Sequence, residues 1–235
     1  MNRFGQPIGT PLPGWTPPPV PPRTALVGRW CRLEPLDPAR HGDALASALA
    51  VENDGPQWTY LPYGPFADRA AHHAWLEGMS RGADPLFFTI ITPEGGAVGL
   101  ASWLRITPAI GSIEVGHLHY APALQRATAA TEAMYLMLRA AFALGYRRYE
   151  WKCDALNAPS RQAAQRLGLS FEGVFRQAMV YKGRSRDTAW YAATDQDWPR
   201  LRDAFETWLD PANFSGGGQR QRLSELTAPL LHRHG

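Results

Sequence analysis

The sequence predicts a mixed α/β fold: a mostly antiparallel sheet with one parallel strand pair at its centre. Three observations lead there. Residues 111–171 read as strand, tight turn, long helix, second strand and second helix. Two strands joined by a crossover of that length lie parallel, with a right-handed connection. Leu86–Thr92 and Ala97–Ile106 flank the turn Pro93–Gly96, and Ser170–Lys182 and Arg186–Thr194 flank Gly183, so each pair reads as an antiparallel hairpin.

Each element follows from local chemistry. Residues 1–24 form a proline-rich arm (Pro11, Pro13, Pro17, Pro18, Pro19, Pro21 and Pro22) of polyproline character, packed on a neighbour or loose. Residues 25–210 form the folded domain and residues 211–235 a tail. Ala25–Leu36 reads as the first strand, Pro38–Val51 and Asp68–Met79 as helices. Gly111–Tyr120 is a mostly apolar run of strand length, stopped at Pro122 because proline cannot extend a ladder. Leu124, Thr128, Thr131, Tyr135, Leu138 and Phe142 recur at helical spacing and predict a helix over 124–144, ended by Gly145. Tyr149–Asp154 is the next strand. Asn157 opens another helix with Pro159 in its first turn, and Gly168 closes it. A last long helix runs from Asp195 to about Leu209, and the Gly216–Gly218 run precedes a short helix in the tail.

Composition bounds the function. With 235 residues, 45% hydrophobic and nine tryptophans, the chain is large and apolar enough for one enzyme-sized core. A net charge of +3 without a dense Lys/Arg run is not a nucleic-acid footprint. No apolar run approaches the roughly 18 residues that span a bilayer, and the N-terminus has no apolar signal core. Cys31 and Cys153 stand far apart in strand-like surroundings with no metal-ligand pattern, so no metal is expected. Buried reduced thiols imply a cytoplasmic protein.

The turn between the Gly111–Tyr120 strand and its helix presents backbone N–H groups at the positive end of the helix dipole, a setting suited to phosphate. Its residues sharpen the reading. Gln125-Arg126-Ala127-Thr128 running into Ala130-Thr131-Glu132-Ala133, then Asn157 and Ser160, then Leu167-Gly168 and Glu172-Gly173, together resemble the GNAT (GCN5-related) N-acetyltransferase superfamily. The chain is most similar to the branch that includes the ribosomal-protein N-terminal acetyltransferases. The specific match covers roughly residues 111–175, a looser one about 25–195. The resemblance implies a central parallel pair that splays, helices on both faces of the sheet, and transfer of an acetyl group from acetyl-coenzyme A to a primary amine, on a peptide N-terminus or a small molecule. The two turn glycines of the family fall here on Arg126 and Thr128. Glu114 stands eight residues before Pro122, one more than the branch leads one to expect, which predicts a β-bulge in that strand.

The resemblance also implies the site. Backbone groups around Leu118, His119 and Tyr120 would hold the pantetheine arm, and the turn N–H groups of Gln125, Arg126, Ala127, Thr128, Ala129 and Ala130 the pyrophosphate. Ser160 would give a proton to the leaving thiolate or serve the helix end, and Asn157 would bind the pantetheine arm or cap the helix. Glu114 leads the base candidates, with His119, His117 and Asp154 behind it. Glu114 has a second reading, as an ion-pair partner of Arg105 or Lys152 across the sheet, and the histidines as packed strand residues. Trp58, Tyr60 and Tyr63 lie in an aromatic, proline-stiffened loop that either walls the acceptor pocket or covers the core; Tyr181, Arg176 and Trp190 are further wall residues. A catalytically inactive coenzyme A-binding sensor or scaffold is the alternative function, and an RNA- or ribosome-associated factor a third. Among partners, an amine substrate and a homodimer are in view, with no nucleic acid and no membrane.

Overall fold

The computed structural model describes residues 1–215 and 218–235. Two of the expected Gly216–Gly218 residues, Gly216 and Gly217, lie outside the described residues. The elements in chain order are β1 (Leu26–Val27), β2 (Arg32–Pro35), α1 (Pro38–Ala48), α2 (Arg69–Arg81), β3 (Leu86–Ile91), β4 (Ala97–Thr107), β5 (Ser112–Tyr120), α3 (Thr128–Ala143), β6 (Arg148–Asp154), α4 (Ala158–Arg166), β7 (Ser170–Tyr181), β8 (Arg184–Thr194), α5 (Trp198–Leu209), β9 (Phe214–Ser215), β10 (Gly218–Gln219) and α6 (Leu223–Thr227).

One eight-stranded sheet organises the described residues, in the order β1-β2-β3-β4-β5-β6-β8-β7. Only β5 and β6 run parallel; the other neighbours are antiparallel. Both faces are covered over the N-terminal half of the sheet. Phe87 and Leu100 point to α1 and α2 with Leu45 and Leu76, while Phe88, Ala101, Trp103, Ile113 and Val115 point to α3 and α5 with Met137 and Phe205. Burial of all six residues of β3 reflects that double cover. Helices start where the sequence caps them. Asp37 accepts the N–H groups of Ala39 and Arg40, Asp68 that of Ala71, and Asn157 that of Ser160.

Two expected elements differ, each for a local reason. The single strand over Ala25–Leu36 is broken into β1 and β2, which pair with each other. The break is made by Glu132 of α3, whose buried carboxylate accepts the backbone N–H groups of Arg29 (2.8 Å), Trp30 (2.6 Å) and Cys31 (2.8 Å). Gly28 permits that approach, since a Cβ there would overlap the carboxylate. The helix expected from Leu124 begins at Thr128 instead. Arg126 takes φ +61°, a left-handed conformation that a helix cannot contain, so residues 122–126 stay a turn.

The termini pack on the domain. Pro18 and Pro21 are buried, and Tyr146 Oη donates to the Pro19 carbonyl (3.2 Å). In the tail, Leu223 joins the main core, and Thr227 Oγ1 donates to the Arg166 carbonyl (2.9 Å). No helix among the described residues is long and apolar enough to cross a membrane.

Glu132 is therefore expected to be a keystone of this half of the core. Glu132→Ala strands one buried and two part-buried N–H groups, and unfolding in urea should show a loss of about 2–4 kcal/mol. An unchanged midpoint would mean that the 28–31 turn holds without the carboxylate.

Candidate active site

The site begins where the parallel pair comes apart. β5 and β6 are registered from Ser112↔Arg148 to Val115↔Trp151 and no further. Beyond that point Gly116–Tyr120 pairs only with β4, and Lys152–Asp154 only with β8. A V-shaped cleft opens between them, with one edge of β5 free of a neighbouring strand.

Two compensating bulges shape this region. Between Leu100↔His119 and Ser102↔Gly116, β5 advances three residues against two on β4. The extra residue is taken up around His117, at φ +52°. Nearer the start of β5, between Leu104↔Glu114 and Thr107↔Ser112, β4 holds the extra residue, at Arg105 with φ +46°. Asp84 pins this second bulge by accepting the N–H groups of Arg105 (2.8 Å) and Ile106 (2.9 Å). The expected bulge is thus present. It inverts the alternation of side chains, so Glu114 and His119 face the same side of the sheet although an odd number of residues separates them. Leu118 and Tyr120 turn to the α3 side and pack against the core, leaving their backbone at the cleft.

At the head of α3 no side chain caps the first turn, which holds no acidic residue. Among the described residues the N–H groups of Arg126, Thr128 and Ala129 meet no acceptor. Those of Gln125, Ala127 and Ala130 are taken up within the turn by the carbonyls of Ala121, Leu124 and Ala127. Gln125 Nε2 donates to the Tyr120 carbonyl (3.1 Å) and ties the turn to the end of β5. Three free donors at a helix N-terminus are an arrangement suited to an anion. Arg126 occupies the left-handed position that glycine adopts freely, while Thr128 is already helical and needs no glycine.

Glu114 is buried, with 3% of its surface exposed, and flanked by two cations. Arg105 Nη1 lies 2.7 Å from both carboxylate oxygens, and Lys152 Nζ lies 2.9 Å from Oε2. Burial pushes the carboxyl up from its ordinary value, while Lys152 and Arg105 pull it down. The pairing foreseen across the sheet is present with both partners. The ion pairs continue along β6: Lys152 to Glu150 (2.7 Å), Glu150 to Arg148 (2.6 Å), Arg148 to Glu172 of β7.

The remaining candidates divide into those at the cleft and those packed away from it. On α4, Ser160 Oγ accepts from Trp151 Nε1 (3.0 Å), next to the Cys153 thiol, which burial pushes up. Its hydroxyl proton is directed at the Cys153 sulfur, a hydrogen bond that partly offsets the effect of burial on that thiol. Asn157 caps α4 through its side chain. Asp154 is engaged, accepting Leu156 N–H (2.8 Å) and Tyr181 Oη (2.9 Å). Tyr60 Oη donates to the Leu156 carbonyl (3.1 Å), and Lys182 Nζ to the Trp58 carbonyl (2.6 Å). These contacts join the 56–66 loop and the β7–β8 tip across the cleft mouth, with Tyr60 and Tyr181 half-buried there. Trp190 stacks with Phe175 over the open half of the sheet (4.5 Å between centroids), and Arg176 points to solvent. Trp58 is 2% exposed and serves the cover, its ring 4.6 Å from that of His119. Tyr63 packs between Trp75 and His117, its hydroxyl buried without a partner.

His117 and His119 share this apolar, aromatic box with His72. Burial lowers all three imidazoles to about 4, helped by Arg105 at His117, by His73 at His72 and by His72 at His119. They are neutral at pH 7 and poorly matched to general-base work there.

Sequence reading missed Glu150, Arg148 and Glu172. The signal was present: Arg148, Glu150, Lys152 and Asp154 alternate along one strand, which sets four charges on one face.

A splayed parallel pair, an uncapped turn at the head of α3 and a polar face beside them form the open region of this mixed α/β fold. The acetyltransferase (GNAT) domain family matches residues 32–170, and the chain belongs to it. A GCN5-related N-acetyltransferase from Brucella melitensis is 46% identical over 92% of this chain and 100% of its own, with a TM-score of 0.89. A GNAT-family protein from Chromobacterium violaceum is 42% identical over 83% of this chain and 98% of its own, with a TM-score of 0.77. The ribosomal L7/L12 α-N-protein acetyltransferase RimL shares the fold, at 19% identity over 72% of this chain and 92% of its own, with a TM-score of 0.61. No curated protein matches the chain. The protein is thus an enzyme of the GNAT N-acetyltransferase family, whose general reaction is acetyl transfer.

The neutral histidine box makes stability depend on pH with a definite sign. For each imidazole the folded value (about 4) lies below the ordinary 6.5. Between these limits the unfolded chain binds more protons, so stability is intact above pH 6.5 and falls as pH drops toward 4. Thermal melting from pH 7.5 to 4.5 should show a monotonic fall, softened in His119→Gln. Identical slopes would show that this ring does not contribute.

Proposed function

We propose that the protein moves an acetyl group from acetyl-coenzyme A to a primary amine by direct attack of the amine. The observation that carries this reading is the set of free N–H donors at Arg126, Thr128 and Ala129, standing at the mouth of the cleft between β5 and β6. The donor supplies an activated thioester carbonyl; the chain's residues position, polarise and move protons.

In this reading the three turn N–H groups hold the pyrophosphate, with the Arg126 side chain adding charge at the exposed side. The free edge of β5 from Leu118 to Tyr120 binds the pantetheine arm and donates to the oxygen that gains charge. Glu114 receives the amine's proton, directly or through water, since burial leaves the nearby imidazoles weak proton acceptors and Asp154 is tied to Tyr181 and Leu156. Ser160 donates its hydroxyl proton to the leaving thiolate while Trp151 holds its oxygen in place. Tyr60 and Tyr181 stand where an acceptor enters. Buried free thiols at Cys31 and Cys153 fit a reducing cytoplasm.

The turn can be tested without disturbing the helix. Thr128 is the first helical residue, and Ala127 before it is extended (φ −79°, ψ 155°), so proline is accommodated at 128. Thr128→Pro deletes one donor and is expected to weaken coenzyme A binding about ten- to a hundredfold by calorimetry, since one hydrogen bond to a charged group contributes about 1.5–3 kcal/mol. Unchanged affinity would move the phosphate site elsewhere. A thiol-release assay over an amine panel separates transferase from sensor: tight coenzyme binding with no release for any amine would favour the sensor.

A further inference from the structure

The charges on the open face form one connected row. Arg105, Glu114, Lys152, Glu150, Arg148 and Glu172 alternate in sign from the buried centre to the sheet edge, each linked to the next. Three cations and three carboxylates leave the row neutral, which is what permits its inner members to be buried. Lys152 is the central link. Its side chain is 9% exposed, and its ammonium lies 2.9 Å from Glu114, 2.7 Å from Glu150 and 3.6 Å above the Trp190 ring centroid. The indole closes one side of the ammonium and confines it to the two carboxylates.

We propose that Lys152 is a positioning residue for acetyl transfer: it holds Glu114 ionised and aimed at the cleft, so that a buried carboxylate remains ready to take the amine's proton at neutral pH. This rests on the role given to Glu114 above. Among the described residues the charged groups at Glu114 are Arg105 from β4 and Lys152 from β6, with Glu150 behind Lys152; Trp190 of β8 covers the Lys152 ammonium, and on the strand of Glu114 itself His117 is acted on by Arg105. Arg105 is half-exposed, with 52% of its side chain open, and water screens it more than Lys152. Lys152 is the buried cation, so its charge acts on Glu114 through a poorer dielectric.

The sign follows. A base must be unprotonated to work. A neighbouring cation favours the carboxylate, so removing the cation makes Glu114 easier to protonate and moves the acid limb of activity to higher pH. The test compares wild type, Lys152→Met and Lys152→Arg in two readouts. One is the pH profile of kcat/KM with acetyl-coenzyme A and an accepted amine. The other is the carbon-13 NMR titration of Glu114 in protein labelled at glutamate Cδ, its signal assigned by its absence in Glu114→Gln.

In Lys152→Met both midpoints are expected to rise by about one pH unit or more. In Lys152→Arg both should stay near wild type. If Lys152→Met does not fold, Lys152→Met/Glu150→Gln removes one charge of each sign and keeps the row neutral; the same rise is expected there. A Met variant with reduced activity but unmoved midpoints would overturn the proposal and leave Lys152 a packing role. So would an Arg variant that shifts as far as Met. The NMR arm reads Glu114 without turnover. If wild type acetylates no amine, the transferase reading fails on its own, while an unmoved Glu114 titration counts against Lys152 alone.

Discussion

Four registered residue pairs hold β5 and β6 together, and then the strands part. Everything functional in this molecule depends on that separation. A parallel pair that stayed joined would use up the backbone groups of residues 116–120 in a ladder. The bulge at His117 increases local twist and re-aims the strand, and the turn at 122–126 leads the chain away into α3. The cleft is therefore built from backbone geometry. Side chains refine it: Gln125 fastens the turn to Tyr120, and Glu132 fastens the far side of α3 to the 28–31 turn.

The same face carries two environments a few residues apart. Over α1 and α2 it is aromatic, and three imidazoles stay neutral because nothing nearby offers a compensating charge. Over β5, β6 and β8 it is ionic, and charges persist there because each is matched by the next. The bulge lies at the boundary. By inverting the side-chain alternation it puts Glu114 and His119 on the same face, the first in its ionic part and the second in its aromatic part. Burial raises a lone carboxyl and lowers a lone imidazole; here the carboxylate has cation partners, and among the described residues the imidazoles have no carboxylate partner. That difference divides the proton chemistry between them.

The strand–helix–strand core was legible because its signals are local. Asn157, Pro159 and Gly168 punctuate α4 as their backbone preferences require. The hairpins around Gly95 and Gly183 are read from turn chemistry in the same way. The split of the first strand was not legible, because its cause is Glu132, about a hundred residues away, acting on backbone donors. The late start of α3 was hidden by Leu124 and Thr128, which keep helical spacing through a turn that Arg126 breaks by its own φ. At the site, Glu114 and its partners Arg105 and Lys152 were in reach of cross-strand reasoning. Continuation through Glu150 to Arg148 follows i, i+2 spacing along β6 itself, and only its end at Glu172 required knowing that β7 lies beyond β8. Trp58 and Tyr63 show the limit of composition: an aromatic loop reads alike as pocket wall or core cover, and burial assigns both rings to the cover.

The central claim is that the unpaired amides where β5 opens into α3 bind the phosphate-bearing end of a thioester. Amide-resolved hydrogen exchange with and without coenzyme A tests it most directly. Among the described residues the N–H groups of Arg126, Thr128 and Ala129 meet no acceptor in the free protein, and they are expected to slow markedly on binding, together with those at the free edge of residues 118–120. Binding that leaves these amides exchanging at their free rates, while protecting a different surface, would contradict it.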